Sequence, residues 1–355
     1  MQERKNEKDM DAVKRMSMVE HIRKRVGMYW QTHDGIPDAS VWTFFLDQLT
    51  NEMGAAFMRG EVSHVDIRYD NESKTVSIEC DGSALTDDLC GVCKGEVSSL
   101  LGGDRDLGGV DYAMITALSH RMKIEMCKDG EWSSVQCVDG HVGGIERMFP
   151  EIMGAENCLR VSFSPSKQFY KTDEEFDRFW PDEVLQGLGS GLAARCPGLA
   201  VSVNGHRYFY KNGVQGLVEE LLKPFGGGTL MRPRSATCKN VVVACGAARR
   251  IDSIRRVFGK FYLNGRKVKN QNVMGRIMEI AANQLIDNCR HASLGYDFVF
   301  VVNGYYPDMY FNKERIYAYD HETRYSMYDY TYSDLVKLDS QMAKCMLMAF
   351  KEYTK

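Results

Sequence analysis

The chain has 355 residues, 44% of them hydrophobic and 11% aromatic, with a formal net charge of −3. That length exceeds one ordinary core and suggests two domains of roughly 150 to 200 residues, and the composition excludes a disordered or fibrous chain. No apolar run reaches the ~18 residues of a membrane span and the polar start MQERKNEKDMDAVKR has no signal-peptide core, so the expectation is a cytoplasmic protein with no membrane partner.

Residues 1–15 read as a polar arm. The decamer HIRKRVGMYW that follows, residues 21 to 30, runs three cations into a glycine and two large aromatics. In SVWTFFLDQLTNEMGAAFMRG, Val41, Phe45, Leu49, Met53 and Phe57 recur at helical spacing, and Asp47, Gln48, Asn51 and Glu52 form an opposite, polar stripe. HVDIRYD and KTVSIECDG then alternate as strands, the second ending in a glycine turn.

CGVC brings Cys90 and Cys93 together, the only close pair among eleven scattered cysteines. A zinc site needs two further ligands at similar spacing, and none is present. The odd count argues against a disulfide framework, so plain reduced thiols are expected. Asp87 and Asp88 next door raise a thiol pKa and disfavour a nucleophilic role.

The next stretch is flexible, with paired glycines at 102–103 and 108–109. A helix follows from about Tyr112 to Ser119, and KIEMC reads as a strand closed by Asp129-Gly130. A glycine-rich loop opening into a helix presents converging N–H groups and a positive dipole end, the geometry that holds phosphate.

A helical stretch covers about 173 to 194. GLAVSVNGHRYFYKNGVQGLVEELL then reads as strand, Asn204-Gly205 turn, strand and amphipathic helix. FGKFYLNGRKV and YDFVFVVNGYYPDMYFNKERIYAYD are strand-rich, with a helix over QNVMGRIMEIAANQLIDN between them. The domain boundary falls between 195 and 225. From Leu230 to Asn270 eleven cations face the single acid Asp252, a net +10 that leaves −13 for the rest of the chain. Such a block suits a polyanion, and equally a solvated face.

In this order the features resemble the amino-terminal half of the DNA gyrase B and topoisomerase IV B subunits. VEHIRKRVGMYW is similar to the family's opening block, LGGVDYAMITALSHRMKIEMCKDG to its glycine lid with the helix and strand after it, and CLRVSFSP to a later strand. YFYKNGVQGLVEEL is similar to the entry of the transducer, and PDMYFNKERI to the loop that brings a lysine to the nucleotide. The similarity spans about residues 13 to 350, and the spacing of the blocks carries it. It implies an α+β chain: a GHKL (Bergerat) α/β sandwich over residues 16–210, then a transducer domain of ribosomal-protein-S5-like type over 211–355 that holds the basic segment 230–270. ATP and magnesium are the implied cofactors. DNA, a second copy of the chain and a topoisomerase cleavage subunit are the implied partners, because no run suited to a metal-binding cleavage domain is visible. The opening decamer would help to close the nucleotide chamber.

Carried over position by position, the resemblance implies an altered site. Aligned through Gly60, the helix places Gln48 where the family has its glutamate base, and glutamine cannot take a proton from water. Glu52 then falls at the magnesium asparagine; a one-residue slip would restore that role to Asn51 and make Asp47 the base. The adenine loop Asp-x-Gly-x-Gly reads Cys80-Asp81-Gly82-Ser83-Ala84, and Cys80 cannot replace a carboxylate that accepts the adenine amino group. The lid ends Gly108-Gly109-Val110-Asp111 instead of in Gly-x-Gly, which adds a side chain and a negative charge near the phosphates. Arg160 stands where the family has a small hydroxyl residue near the adenine. Lys313 matches the transducer lysine, although Phe311-Asn312 replaces the usual Gln-Thr. In the basic segment Arg249, Arg250, Arg255, Arg256, Lys260, Arg266 and Lys267 are the candidate DNA contacts.

Two functions compete on these grounds. One is a nucleotide-gated DNA clamp of type II topoisomerase kind with doubtful hydrolysis. The other is a catalytically inactive pseudo-ATPase that serves as an interaction or regulatory subunit.

Overall fold

A computed structural model describes residues 16–29, 32–33, 36–37, 40–82, 88–96, 110–148, 157–170, 172, 182–223, 229–239, 241–249, 256–263, 266–267, 296–304, 344–345 and 348–349. The fold is α+β. By packing, the chain divides into Met1–Leu49 with Val65–Leu185, and Thr50–His64 with Gln186–Lys355. The cuts fall at 49/50, 64/65 and 185/186.

The first unit begins with two short helices, α1 (Met18–Lys24) and α2 (Val26–Tyr29). Ser17 starts α1 through a full capping box: its hydroxyl accepts from the Glu20 N–H, and the Glu20 carboxylate accepts from the Ser17 N–H. A small ribbon of β1 (Thr32–His33) and β2 (Ile36–Pro37) leads to the long helix α3 (Ser40–Met58), whose residues from Thr50 onward belong to the second unit. Its apolar stripe is confirmed at Phe45, Leu49 and Met53, all buried, and Trp42 joins them. The Trp42 ring stacks on Phe163 at 5.6 Å between centroids, and its indole N–H donates to the Tyr170 hydroxyl at 3.0 Å.

The strands β3 (His64–Asp70) and β4 (Thr75–Cys80) form a hairpin, after which come helix α4 (Leu89–Lys94) and helix α5 (Val110–Leu118). The helix expected at 112–119 thus starts two residues earlier. A meander of β5 (Ser119–Lys128), β6 (Glu131–Val138) and β7 (His141–Met148) follows, then β8 (Cys158–Pro165). The turns Asp129-Gly130 and Asp139-Gly140 each place two consecutive residues at positive φ, which a two-residue hairpin of matching twist requires. The strand order is β3-β4-β8-β5-β6-β7, so β8, latest in the chain, sits between β4 and β5 and is antiparallel to both.

In the second unit, helix α6 (Asp182–Arg195) precedes a hairpin of β9 (Ala200–Val203) and β10 (His206–Tyr208) closed by Asn204-Gly205, as expected. Helix α7 (Val214–Leu222) follows. A sheet of β11 (Thr229–Cys238), β12 (Val241–Arg249), β13 (Arg256–Leu263), β14 (Arg266–Lys267) and β15 (Tyr296–Gly304) has the order β11-β12-β15-β13-β14. Only β13 and β15 among these pairs run parallel. Val214, Leu217, Val218 and Leu222 at 3-4 spacing bury one face of α7 against Ala244, Ala248, Val299 and Val301. The approach is close enough that a Cβ on Gly246 would lie 2.6 Å from Leu222 Cδ1. The helix expected over 271–288 lies outside the described residues.

Candidate functional site

The polar stripe of α3 is buried, not solvated. Asp47, Thr50, Asn51 and Glu52 are all less than a tenth exposed, and Gln48 is half-buried. Buried polar side chains on one helix mark either a site or a specific packing contact. For Asn51 the contact is visible inside the second unit. The guanidinium of Arg195, itself 2% exposed, donates to Asn51 Oδ1 at 3.5 Å and lies 5.4 Å from the centroid of the Tyr262 ring. Asn303 Nδ2 donates to the Arg195 carbonyl at 3.0 Å, which ties the end of α6 to β15. Gln48 and Glu52 are one helical turn apart and share a face about 100° around the helix from Asp47 and Asn51. The two alignments therefore use different faces, and the Asn51 face is turned to Arg195.

At the end of β4, Cys80 is 2% exposed and stands opposite Leu159 of β8, which is 1% exposed. Asp81 is exposed and Gly82 buried. The side chain of Arg160 leaves the sheet on the other face, because strand residues alternate and its partner in register is Glu79. Arg160 Nε donates to Glu79 Oε2 at 2.9 Å, and a second guanidinium nitrogen is 3.6 Å from Glu125 Oε2 on β5. Arg160 thus pairs with carboxylates on the face opposite Cys80, and Leu159 is the residue of β8 beside the thiol. Block order along the chain places a residue on a strand but does not fix its face.

The lid glycines Gly108 and Gly109 lie outside the described residues. Val110 is the first residue of α5. The far end of that helix explains part of the decamer HIRKRVGMYW. A helix leaves its last carbonyls without partners; here the Arg23 guanidinium donates to the Ala117 carbonyl and the Ser166 N–H to that of Leu118 at 2.9 Å. The same guanidinium lies 5.5 Å from the Phe169 ring centroid, and Gly140 leaves room for its stem, since a Cβ there would be 2.6 Å from Arg23 Cδ. Burial lowers the Arg23 pKa and Asp139 opposes that shift; the group keeps its charge at neutral pH. His21 Nδ1 and the Tyr29 hydroxyl share a hydrogen bond of 2.6 Å, which fixes the aromatic end of the decamer on α1. Arg23 as a cap was missed from sequence because its partner is 94 residues away.

Lys313, Arg250 and Arg255 lie outside the described residues. Of the other basic candidates, Arg249 and Arg256 lie at one end of the second sheet, where their backbone stands in register with Tyr296 and Asp297 of β15. Arg266 and Lys267 lie at the opposite end, across from Leu263 and Tyr262. Seven residues of strand separate the two groups, roughly 23 Å. Lys260 is half-buried on the face of β13 that carries Tyr262. Arg232 and Arg234 on β11 and Lys239 after it are exposed cations of the same segment.

No helix among the described residues is long and apolar enough to cross a membrane. No protein-family model and no curated protein matches the chain. Solved structures do. The B subunit of DNA gyrase from Myxococcus xanthus superimposes with a TM-score of 0.59 at 20% identity, over 82% of this chain and 87% of that one. The 43K ATPase domain of Thermus thermophilus gyrase B, solved with an aminocoumarin, matches at 0.53 and 15% identity over 96% of both chains. The ATPase region of Saccharomyces cerevisiae topoisomerase II matches at 0.56 and 11% identity, over 95% of this chain and 98% of that one. The chain has the fold of these ATPase regions.

Proposed function

We propose that the chain is an ATPase/transducer module of the type II topoisomerase kind that keeps the clamp architecture and engages DNA non-specifically, but turns over ATP slowly or not at all. The observation that carries this reading is Cys80, a buried thiol backed by Leu159 at the strand end where the resemblance calls for a carboxylate. A thiol is a weak hydrogen-bond acceptor and offers adenine's amino group little. Asn51 Oδ1 faces the Arg195 guanidinium, so a magnesium ion held there would meet a like charge. Gln48 in the register through Gly60 can orient a water but cannot accept its proton. The residues present thus fit magnesium and ATP poorly. The cations of 230–270 spread along the second sheet, which suits contacts to a phosphate backbone more than a compact base-reading patch. Dimer formation, and a separate subunit that supplies DNA cleavage, belong to the same proposal.

The test is a calorimetric titration with magnesium and a non-hydrolysable ATP analogue, run beside an assay of phosphate release. Weak or absent heat with background turnover is expected. Brisk magnesium-dependent phosphate release would overturn the proposed loss of ATP chemistry.

A further inference from the structure

The basic segment carries a feature that contact with DNA does not use. In Met231-Arg232-Pro233-Arg234-Ser235, Ser235 is the one serine or threonine of the sequence with an arginine both directly before it and three places before it. Arg232, Arg234 and Ser235 are all exposed on β11, which is the end strand of its sheet. The ladder to β12 is irregular along this stretch, with register shifts between Thr229 and Met231 and again between Met231 and Arg234. Pro233 has no N–H to give to a ladder, and proline is tolerated in sheets only at such edges and bulges. An irregular end strand with a proline costs little to lift from its neighbour, and its backbone is already extended.

Ser235 stands in register with Ala244, which packs against α7, so its hydroxyl lies on that side of the sheet. The hydroxyl donates to Gln215 Oε1 at 2.8 Å. Gln215 is the second residue of α7, and the Gly213 N-cap gives that helix no side-chain cap. A phosphoryl group on Ser235 would therefore lie near the positive end of a helix, a favourable place for an anion. Glu219, one turn further along α7, accepts from Gln215 Nε2 at 3.2 Å.

We propose that Ser235 is a phosphorylation site for an arginine-directed serine kinase, and that the added phosphate loosens the hold of the basic segment on polyanions. A kinase of this kind presents carboxylates to cations on the amino-terminal side of the acceptor and takes its substrate extended. Arg232 and Arg234 supply those cations, and β11 supplies the extended backbone. In the transfer the Ser235 oxygen attacks the γ-phosphorus of the kinase's ATP, the bond from that phosphorus to the bridging oxygen breaks, ADP leaves and the hydroxyl proton is released. The product carries about −1.5 to −2 charges at neutral pH. That charge is set among Arg232, Arg234 and Lys239, exposed on the same strand and in the turn after it. The loosening rests on the proposed DNA contact; the phosphorylation site does not.

In the test, the full chain is incubated with an arginine-directed serine/threonine kinase and magnesium-ATP, and the phosphate is located by peptide mass mapping. One phosphate on Ser235 is expected. Ser235→Ala should take none, and Arg232→Gln and Arg234→Gln should take it more slowly. Retention of duplex DNA at ~100 mM salt should then fall by about tenfold for the phosphorylated chain, because each cancelled phosphate contact removes about 0.9 from the logarithmic salt slope. Kinase-treated Ser235→Ala should keep the parental retention. No phosphate on Ser235, or phosphate on Thr237 in its place, overturns the site. A phosphorylated chain that binds duplex as the parent does overturns the regulation. If the unmodified chain is not retained at any salt, the DNA reading fails and takes the regulation with it, while the peptide map still decides the site.

Discussion

Replacing Arg23 with methionine keeps an apolar stem over Phe169 and removes the guanidinium. The structure then loses the charge-assisted hydrogen bond to the Ala117 carbonyl, worth about 1.5 to 3 kcal/mol. It also loses the cation over Phe169, worth about 0.5 to 1 kcal/mol at a part-exposed site. The attraction of a cation to a helix C-terminus overlaps with the hydrogen bond and adds little more. These losses share one group, so the net cost is about 2 to 3 kcal/mol. For a unit of this size that corresponds to a Tm lowered by roughly 4 to 12 °C. Thermal unfolding should show that drop, and hydrogen exchange should show reduced protection across Val110–Leu118, the helix whose end is uncapped. A variant that melts within a degree of the parent, with unchanged exchange in that helix, would refute the capping role.

Gly246→Ala should destabilise the second unit by about 1 to 3 kcal/mol, because the added methyl meets Leu222 Cδ1 and Val218 where α7 lies closest to β12; chemical denaturation measures it. Burial holds the Cys158 and Cys196 thiols up at about 11, above the unfolded value, so their contribution is intact below about pH 8.5 and is lost as pH rises toward 11. Melting curves across that range should fall, and Cys196→Ala should flatten its share of the fall. Duplex DNA should be retained weakly and in a salt-sensitive way, and retention unchanged between ~50 and 200 mM salt would sink the DNA contact. Cys80→Asp should cost stability at neutral pH by burying a carboxylate beside Leu159, and should tighten binding of an adenine nucleotide in a calorimetric titration.

The element plan was largely legible because it rests on local signals. The apolar stripe of α3, the alternation in β3 and β4, and the Asp-Gly and Asn-Gly turns each announce themselves within a dozen residues. What the sequence hid is long-range. The polar stripe of α3 is buried partly because Arg195 reaches Asn51 from 144 residues away. The face of Arg160 follows from its register with Glu79, and a shift of one residue would reverse it. The strands Glu131–Val138 and His141–Met148 are hard to read because WSSVQCV and HVGGIERM interrupt any strict alternation.

The position of β8 between β4 and β5 has a consequence for how the chain folds. The β3–β4 hairpin and the β5–β6–β7 meander are local and can form within microseconds of emerging. Each nevertheless presents an open edge until Cys158–Pro165 arrives to fill the gap. At about 5 to 20 residues per second, a ribosome leaves those edges bare for roughly a second or more after Met148 appears. For that interval two half-built sheets with adhesive borders coexist in one nascent polypeptide, and a chaperone that shields either border would raise the yield of folded protein.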